Sequence, residues 1–443
     1  MSEKRILVVD GSPESLKLLF VSLLFSLSLL SLVSVNPLSA EEPPRGKIVF
    51  DNATYDFELQ RTIGYAVSGG ADINECLQTA AKIKEGDGES WYTHWNDLAS
   101  RVHRAADESL AKGHSVSAAE ALFRASNYYR NAHFFLHGNK NDPRIFEAGR
   151  KSRETFRRAV RFMKMPVEFV PIPYENTTLP GYLFTPDNED KPRKTLLLQT
   201  GFDGTGEEMY FSTGFFALKR GYNVLIFEGP GQGMALLDRK LHFRHDWERV
   251  VTPVVDYVLA RDDVDPARIA LLGVSMGGYL APRAAAFEHR LAALVVNPGV
   301  YDVYGGHEKS EEQWAQMEKH PDETNAFLRK KMEQDIGFRW LMNNGMFAFG
   351  AGSPLEFMTL WKKYNLRGVA DKIKCPTLVV MSMEDHLLPP EAQRKLYDQL
   401  ASPKTLMTFD GTMMAAGHCQ MGAIAEQNRR ILDWLDETLA DKD

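Results

Sequence analysis

Three side chains far apart along the 443-residue chain have the types and order needed for nucleophilic chemistry. Ser275 sits in Gly273-Val274-Ser275-Met276-Gly277-Gly278, directly after the apolar run 269–274 and directly before a helical pattern that starts at Tyr279. A G-x-S-x-G pattern between a buried strand and a helix puts the serine on a sharp turn with its hydroxyl above the sheet edge, and the flanking glycines let strand and helix cross closely. A hydroxyl is a weak nucleophile until a base takes its proton, and the base needs an acid to fix its tautomer and stabilise its charged form. In this arrangement the acid and then the histidine follow the serine in the chain. Asp385 lies just past the apolar run 377–381, between Cys375-Pro376-Thr377-Leu378-Val379-Val380 and Leu388-Pro389-Pro390, and is read as the acid, with Glu384 as its competitor. His418, 33 residues later, follows a strand at 405–409 and precedes a last helix at 424–435, so that a loop can carry it to both partners. His386 is the rival base and is expected at the surface; Cys419 is read as a small packing residue.

The oxyanion created by such an attack needs backbone N–H donors already in place. One is expected at Met276, the residue after the serine, and the other at Phe202 in the loop Thr200-Gly201-Phe202-Asp203-Gly204, where Asp203 is expected to brace the loop. The run Glu228-Gly229-Pro230-Gly231-Gln232-Gly233 has the glycines of a phosphate loop but not its Lys-Ser/Thr ending, and reads as a tight turn near the site. His133 and His137 are one helical turn apart, a spacing metal ligands use, but no Glu follows the first as in zinc peptidases. They are read as a satisfied or surface pair, and no metal or cofactor is called for.

The elements that must hold these residues change character along the chain. Residues 41–165 read as a helical N-terminal domain. One helix covers 91–111, and a second opens at a Ser117/Glu120 capping pair and repeats apolar residues from Ala118 to Ala132. A third starts at Asp142-Pro143 and runs to about residue 162. From 166 to 443 short strands alternate with helices: strands at 167–172, 179–185, 195–199, 223–227, 269–274, 291–296, 377–381 and 405–409, helices at 207–219 and 246–259. The first two strands are expected as an antiparallel pair around a turn at 174–178. The rest of the pattern implies a mostly parallel sheet covered on both faces. About eighty residues without a convincing strand precede Thr377, too many for one crossover, and they are rich in Trp, Phe and Met. This stretch, about 300–367, is expected to be a helical cap over the carboxyl edge of the sheet, suited to an apolar or aromatic substrate.

A formal net charge of −7 gives no reason to expect nucleic acid or an anionic membrane as partner, and three cysteines are too few and too scattered for a disulfide framework or a zinc site. Residues 1–40 read as a leader. Residues 18–35 form an apolar and serine run closed by Pro37-Leu38-Ser39-Ala40, as in a secretory signal, and long enough to be an uncleaved anchor. Export or anchoring is the expectation, with a cytoplasmic location as the alternative. The first residues, Lys4-Arg5-Ile6-Leu7-Val8-Val9-Asp10, resemble the first strand of a response-regulator receiver, without the domain that should follow.

Gly201-Phe202-Asp203-Gly204-Thr205, Glu207-Glu208-Met209, Gly229-Pro230-Gly231-Gln232-Gly233 and Gly273-Val274-Ser275-Met276-Gly277-Gly278 together resemble an α/β-hydrolase subfamily. It contains 2,6-dihydroxypseudooxynicotine hydrolase, the fungal polyketide-shortening hydrolases and the FrsA-like esterases, and the likeness runs from about residue 47 to the C-terminus. The resemblance implies the α/β-hydrolase fold with a helical N-terminal domain, and a Ser-Asp-His hydrolase of esters, or of ketones by C–C bond hydrolysis. An acylaminoacyl or peptidase-like hydrolase is the enzyme alternative, and a non-catalytic binding module on the same fold is the other. The expected partner is a small acyl compound, and the reading admits a homodimer.

Overall fold

The computed structural model of the protein describes residues 47–305 and 309–440. The leader reading of residues 1–40, with its receiver-like start, lies outside the described residues. No helix among the described residues is long and apolar enough to cross a membrane.

The centre is an eight-stranded sheet in the order β1-β2-β4-β3-β5-β6-β7-β8. The strands are β1 (Val167–Tyr174), β2 (Thr177–Phe184), β3 (Arg193–Gln199), β4 (Asn223–Phe227), β5 (Val264–Val274), β6 (Ala293–Asn297), β7 (Thr377–Ser382) and β8 (Lys404–Phe409). β1 pairs antiparallel with β2, and β2 with β4; every later pairing is parallel. The first two strands run further than their sequence pattern indicates, to Tyr174 and from Thr177, so only Glu175 and Asn176 turn the hairpin.

Side chains alternate across a strand, so each central strand feeds two cores. On one face Leu197, Leu225, Leu271, Leu294, Val296 and Val379 meet α9 (Glu248–Leu259), α10 (Gly277–Ala285) and α15 (Pro390–Gln399). On the other face Leu196, Leu198, Val224, Ile226, Leu272, Val295 and Val380 meet α16 (Ile424–Thr438) and the N-terminal helices. These are α1 (Ala53–Gly64), α2 (Ile73–Ala80), α3 (Gly88–Ala111), α4 (Ser115–Ala132) and α5 (Pro143–Phe162). Trp91, Trp95, Tyr128 and Phe156 of this layer belong to one continuous apolar cluster with the sheet face. The helical layer and the sheet therefore share a core.

α5 opens as its sequence indicates: Asp142 caps it by accepting from the Arg144 N–H, and Pro143 takes the first turn. α4 does not open on a Ser117/Glu120 cap. α3 ends in a left-handed Gly113 (φ 81°), which leaves only His114 as a connector, so α4 is already helical at Ser115 without a side-chain cap. Ser117 falls inside the first turn and stays exposed.

After β3 the chain forms α6 (Gly206–Met209), a π-helical turn at Tyr210–Gly214 and α7 (Phe215–Leu218), where the sequence indicates one continuous helix. α8 (Gly233–Leu237) follows β4. Between β6 and β7 stand α11 (Glu311–Lys319), α12 (Pro321–Gln334), α13 (Ile336–Ala348) and α14 (Pro354–Trp361). Their apolar side chains, among them Trp314, Leu328, Met342 and Phe357, are continuous with the core on the α9–α10 face.

Candidate active site

Ser275 follows the last residue of β5 with φ at 59°, a left-handed backbone that a non-glycine residue adopts only when its surroundings impose it. Its N–H donates to the Asn297 carbonyl at 2.7 Å, and its own carbonyl accepts from the Gly278 N–H at 2.8 Å. The crossing of β5 and α10 is so close that a Cβ on Gly273 would stand 2.1 Å from the Gly277 oxygen. Glycine is required there by contact. The elbow leaves Ser275 half-buried with its Oγ turned toward His418.

His418 Nε2 lies 2.9 Å from Ser275 Oγ, and His418 Nδ1 lies 2.8 Å from Asp385 Oδ2. The other Asp385 oxygen accepts from the Leu387 N–H at 2.8 Å and the Leu388 N–H at 3.0 Å, so the loop after β7 fixes one oxygen of the carboxylate while the other faces His418. Burial disfavours both charged forms, yet the two groups stabilise each other. Burial alone would push His418 down, but the facing Asp385 charge outweighs it and holds the imidazole well above its usual value. Burial alone would raise Asp385, but His418 and the Leu387 N–H keep it below the usual carboxylate range. Of the rivals, Glu384 is aimed elsewhere: its N–H donates to the Ala416 carbonyl and its carboxylate lies toward Gly411. His386 is exposed, its ring 4.6 Å from that of Phe57 and 6.1 Å from that of His418.

Cys419 and Gln420 follow His418 with φ at 51° each. This irregular turn is held by buried polar groups that sequence reasoning did not single out. Gln420 Oε1 accepts from Asn297 Nδ2 at 2.8 Å, and Gln420 Nε2 donates to Ser382 Oγ at 2.7 Å. Cys419 is fully buried with its Sγ 3.4 Å from the Asn297 carbonyl, a packing position. Asn297 thus touches both the serine elbow and the histidine turn. A polar residue ending an otherwise apolar strand was the one signal available for it.

The loop after β3 lies directly against the elbow. A Cβ on Gly201 would come within 2.7 Å of the Met276 nitrogen and 2.8 Å of the Ser275 Cβ. Gln232, from the turn 228–233, donates its Nε2 to the Thr200 carbonyl at 2.8 Å and the Gly201 carbonyl at 3.1 Å. In a trans peptide the C=O and the next N–H point opposite ways, so fixing the Gly201 carbonyl orients the Phe202 N–H. Asn344 of α13 donates to the Phe202 carbonyl at 3.2 Å. Glu228 accepts from the Gly206 and Met234 N–H groups, both at 2.8 Å, and so joins the turn to the start of α6.

Aromatic side chains surround this loop. The Phe202 ring meets Trp361 at 5.1 Å and Trp340 at 5.8 Å, both edge to face, and Phe357 at 6.3 Å. From α1, Phe57 brings its ring to 6.0 Å from that of His418. His133 and His137 are not at the surface, and the pair is only partly satisfied, His137 being hydrogen-bonded to Asn344. Both are buried, and both His133 ring nitrogens and the His137 Nδ1 lack a hydrogen-bond partner among the described residues. Burial keeps the two rings uncharged, with His137 pushed down to about 4, and His137 stacks on Phe347 at 4.8 Å as an aromatic plate. No group of metal-ligating side chains is found among the described residues.

A mostly parallel sheet, a serine on a left-handed elbow after β5, and an aspartate and histidine on the loops after β7 and β8 define the architecture of an α/β hydrolase. The chain belongs to the alpha/beta hydrolase family, which its residues 201–433 match. It is 34% identical to the hydrolase LUC6 of Fusarium sp over 409 residues, 88% of this chain and 97% of that one. It is also 34% identical to the 20-hydroxy-prefusarin hydrolase FUS2 of Gibberella moniliformis (strain M3125 / FGSC 7600) over 422 residues, 89% and 98% of the two chains. Among solved structures, that of 2,6-dihydroxy-pseudo-oxynicotine hydrolase superposes with a TM-score of 0.68 over 85% of this chain and 96% of that one, at 22% identity, a likeness of fold. The protein is a hydrolase of this fold.

Proposed function

We propose that the protein is a serine hydrolase that forms an acyl-enzyme on carboxylic esters, or on activated ketones by C–C bond hydrolysis. The observation that carries this reading is the unbroken hydrogen-bonded line Ser275 Oγ, His418 Nε2, His418 Nδ1, Asp385 Oδ2. Neutral His418 takes the proton of Ser275 as Oγ attacks the substrate carbonyl. The oxyanion faces the N–H groups of Met276 and Phe202, and Asp385 stabilises the imidazolium. His418 then gives that proton to the departing oxygen of an ester, released as an alcohol, or to the departing carbanion carbon of an activated ketone, as the bond to the carbonyl carbon breaks and the acyl group stays on Ser275. Water, deprotonated by His418, releases the acid and restores the serine.

The four helices of the β6–β7 insert act in this reading as a cap over the site. Trp340 and Trp361 around the Phe202 ring and Phe57 beside His418 favour a small, apolar or aromatic acyl compound as substrate. The similar protein FUS2 is named for hydrolysis of 20-hydroxy-prefusarin, which supports a small-molecule substrate.

The test is turnover of aryl esters, β-diketones and aminoacyl amides by the wild type and by Ser275→Ala. Turnover of an ester or diketone that Ser275→Ala abolishes supports the reading. Turnover that survives in Ser275→Ala contradicts it.

A further inference from the structure

We infer that Arg61 of the N-terminal helical layer is a positioning residue for the reaction, holding the loop that presents the Phe202 N–H to the oxyanion. The inference rests on the reading of that N–H as an oxyanion donor.

The Arg61 side chain is almost wholly buried, and all three of its nitrogens donate to carboxylates. Nη1 donates to Asp203 Oδ2 at 2.6 Å, Nε to Glu208 Oε1 at 2.9 Å and Nη2 to Glu208 Oε2 at 2.9 Å. Asp203 is the residue next to Phe202. Glu208 closes the same loop from its far end, its carboxylate accepting from the Thr205 N–H at 3.1 Å and from Tyr65 Oη at 3.1 Å. One guanidinium from α1 therefore grips both ends of the segment 203–208.

The grip is the third of three on the loop. Gln232 holds the Gly201 carbonyl, Asn344 of the insert holds the Phe202 carbonyl, and Arg61 holds the Asp203 carboxylate. None of the three touches the reacting atoms. Together they set the direction of one peptide unit, and an oxyanion donor a fraction of an ångström out of place loses most of its effect.

Charge separates this role from simple support of the fold. Arg130 of α4 joins the cluster through Glu58, and Arg61 Nη1 also lies 3.2 Å from Glu58 Oε2. Glu58, Asp203 and Glu208 thus face two guanidiniums. Replacing Asp203 by Asn leaves two carboxylates against two guanidiniums, so no buried cation is orphaned, while the ionic grip beside Phe202 is lost.

The experiment compares Asp203→Asn with the wild type on an aryl ester, with melting temperature and the rate of labelling by a fluorophosphonate measured alongside. Expected are a kcat reduced about tenfold or more with KM within about twofold, an equally slowed labelling rate, and a melting temperature near that of the wild type. Arg61→Lys, which keeps the charge but not the fork, should reduce kcat in the same direction. Wild-type kcat and labelling rate in Asp203→Asn overturn the inference, as does a lowered melting temperature with kcat unchanged. Ser275→Ala in the same series separates the two levels: if it still turns over, the serine hydrolase reading fails; if it is inactive while Asp203→Asn is unimpaired, only the role of Arg61 fails.

Discussion

Asn297 Nδ2 donates to Gln420 Oε1 at 2.8 Å, which ties the end of β6 to the turn that carries His418. The Asn297 carbonyl accepts the Ser275 N–H at 2.7 Å, so one residue fixes the nucleophile and, through Gln420, the base. Gln420→Ala would leave Asn297 Nδ2 and Ser382 Oγ buried without their partner, at a cost of about 1–3 kcal/mol for each such group. The expected outcome is a lower melting temperature and a kcat reduced beyond what the loss of stability explains. An unchanged kcat at a temperature where the variant is fully folded would show that the turn holds its own shape.

Asp385 and Glu384 are separated by a pair of substitutions. Asp385→Asn should lower kcat by about four orders of magnitude, the size of effect seen when a triad aspartate becomes an amide. Glu384→Gln should have little effect, because its side chain does not meet His418. Equal damage from both would move the acid to Glu384.

The pH profile gives the same assignment independently. His418 acts as a base only when neutral, and the Asp385 charge raises its pKa above the usual 6.5, so activity should fall as pH drops through that raised value. In Asp385→Asn the raising charge is gone and burial, which lowers the pKa, remains. The acid limb of kcat/KM should therefore move to lower pH while kcat falls. A limb that stays in place would mean another group sets it.

Trp340 stands between Phe134, on which it stacks at 5.0 Å, and the Phe202 ring. Trp340→Ala should raise KM for a bulky aromatic acyl ester about tenfold, equivalent to about 1.4 kcal/mol of lost contact, and leave a small acetyl ester nearly unaffected. Equal losses on both would make this ring a support of the fold alone.

For the leader, we propose that residues 18–35 direct export and that the mature chain begins near Glu41. N-terminal sequencing of protein from its native host should find that start outside the cytosol. An intact Met1 in the cytosolic fraction contradicts it.

The strands were legible because their apolar runs are short and bounded, and β4 begins and ends where its pattern does. Ser275, Asp385 and His418 were legible because each stands in a local signature, and the fold brings the three together. Asn297, Gln420 and Arg61 were not, since their roles depend on partners 123 and 147 residues away and no local spacing records such a contact. His133 and His137 misled for the same reason: α4 ends at Ala132, so the pair lies on the turn after it, where both are buried and His137 stacks on Phe347 of the insert. The Ser117 cap failed because the left-handed Gly113 ends α3 so close by that α4 is already helical at Ser115.

Covalent labelling shows whether Ser275 is a nucleophile activated by His418. The wild type is treated with a fluorophosphonate and digested, and the modified peptide is identified by mass spectrometry. One modified residue is expected, Ser275, with labelling absent in Ser275→Ala and greatly slowed in His418→Ala. A label on another residue, or labelling of Ser275 at full rate in His418→Ala, would contradict it.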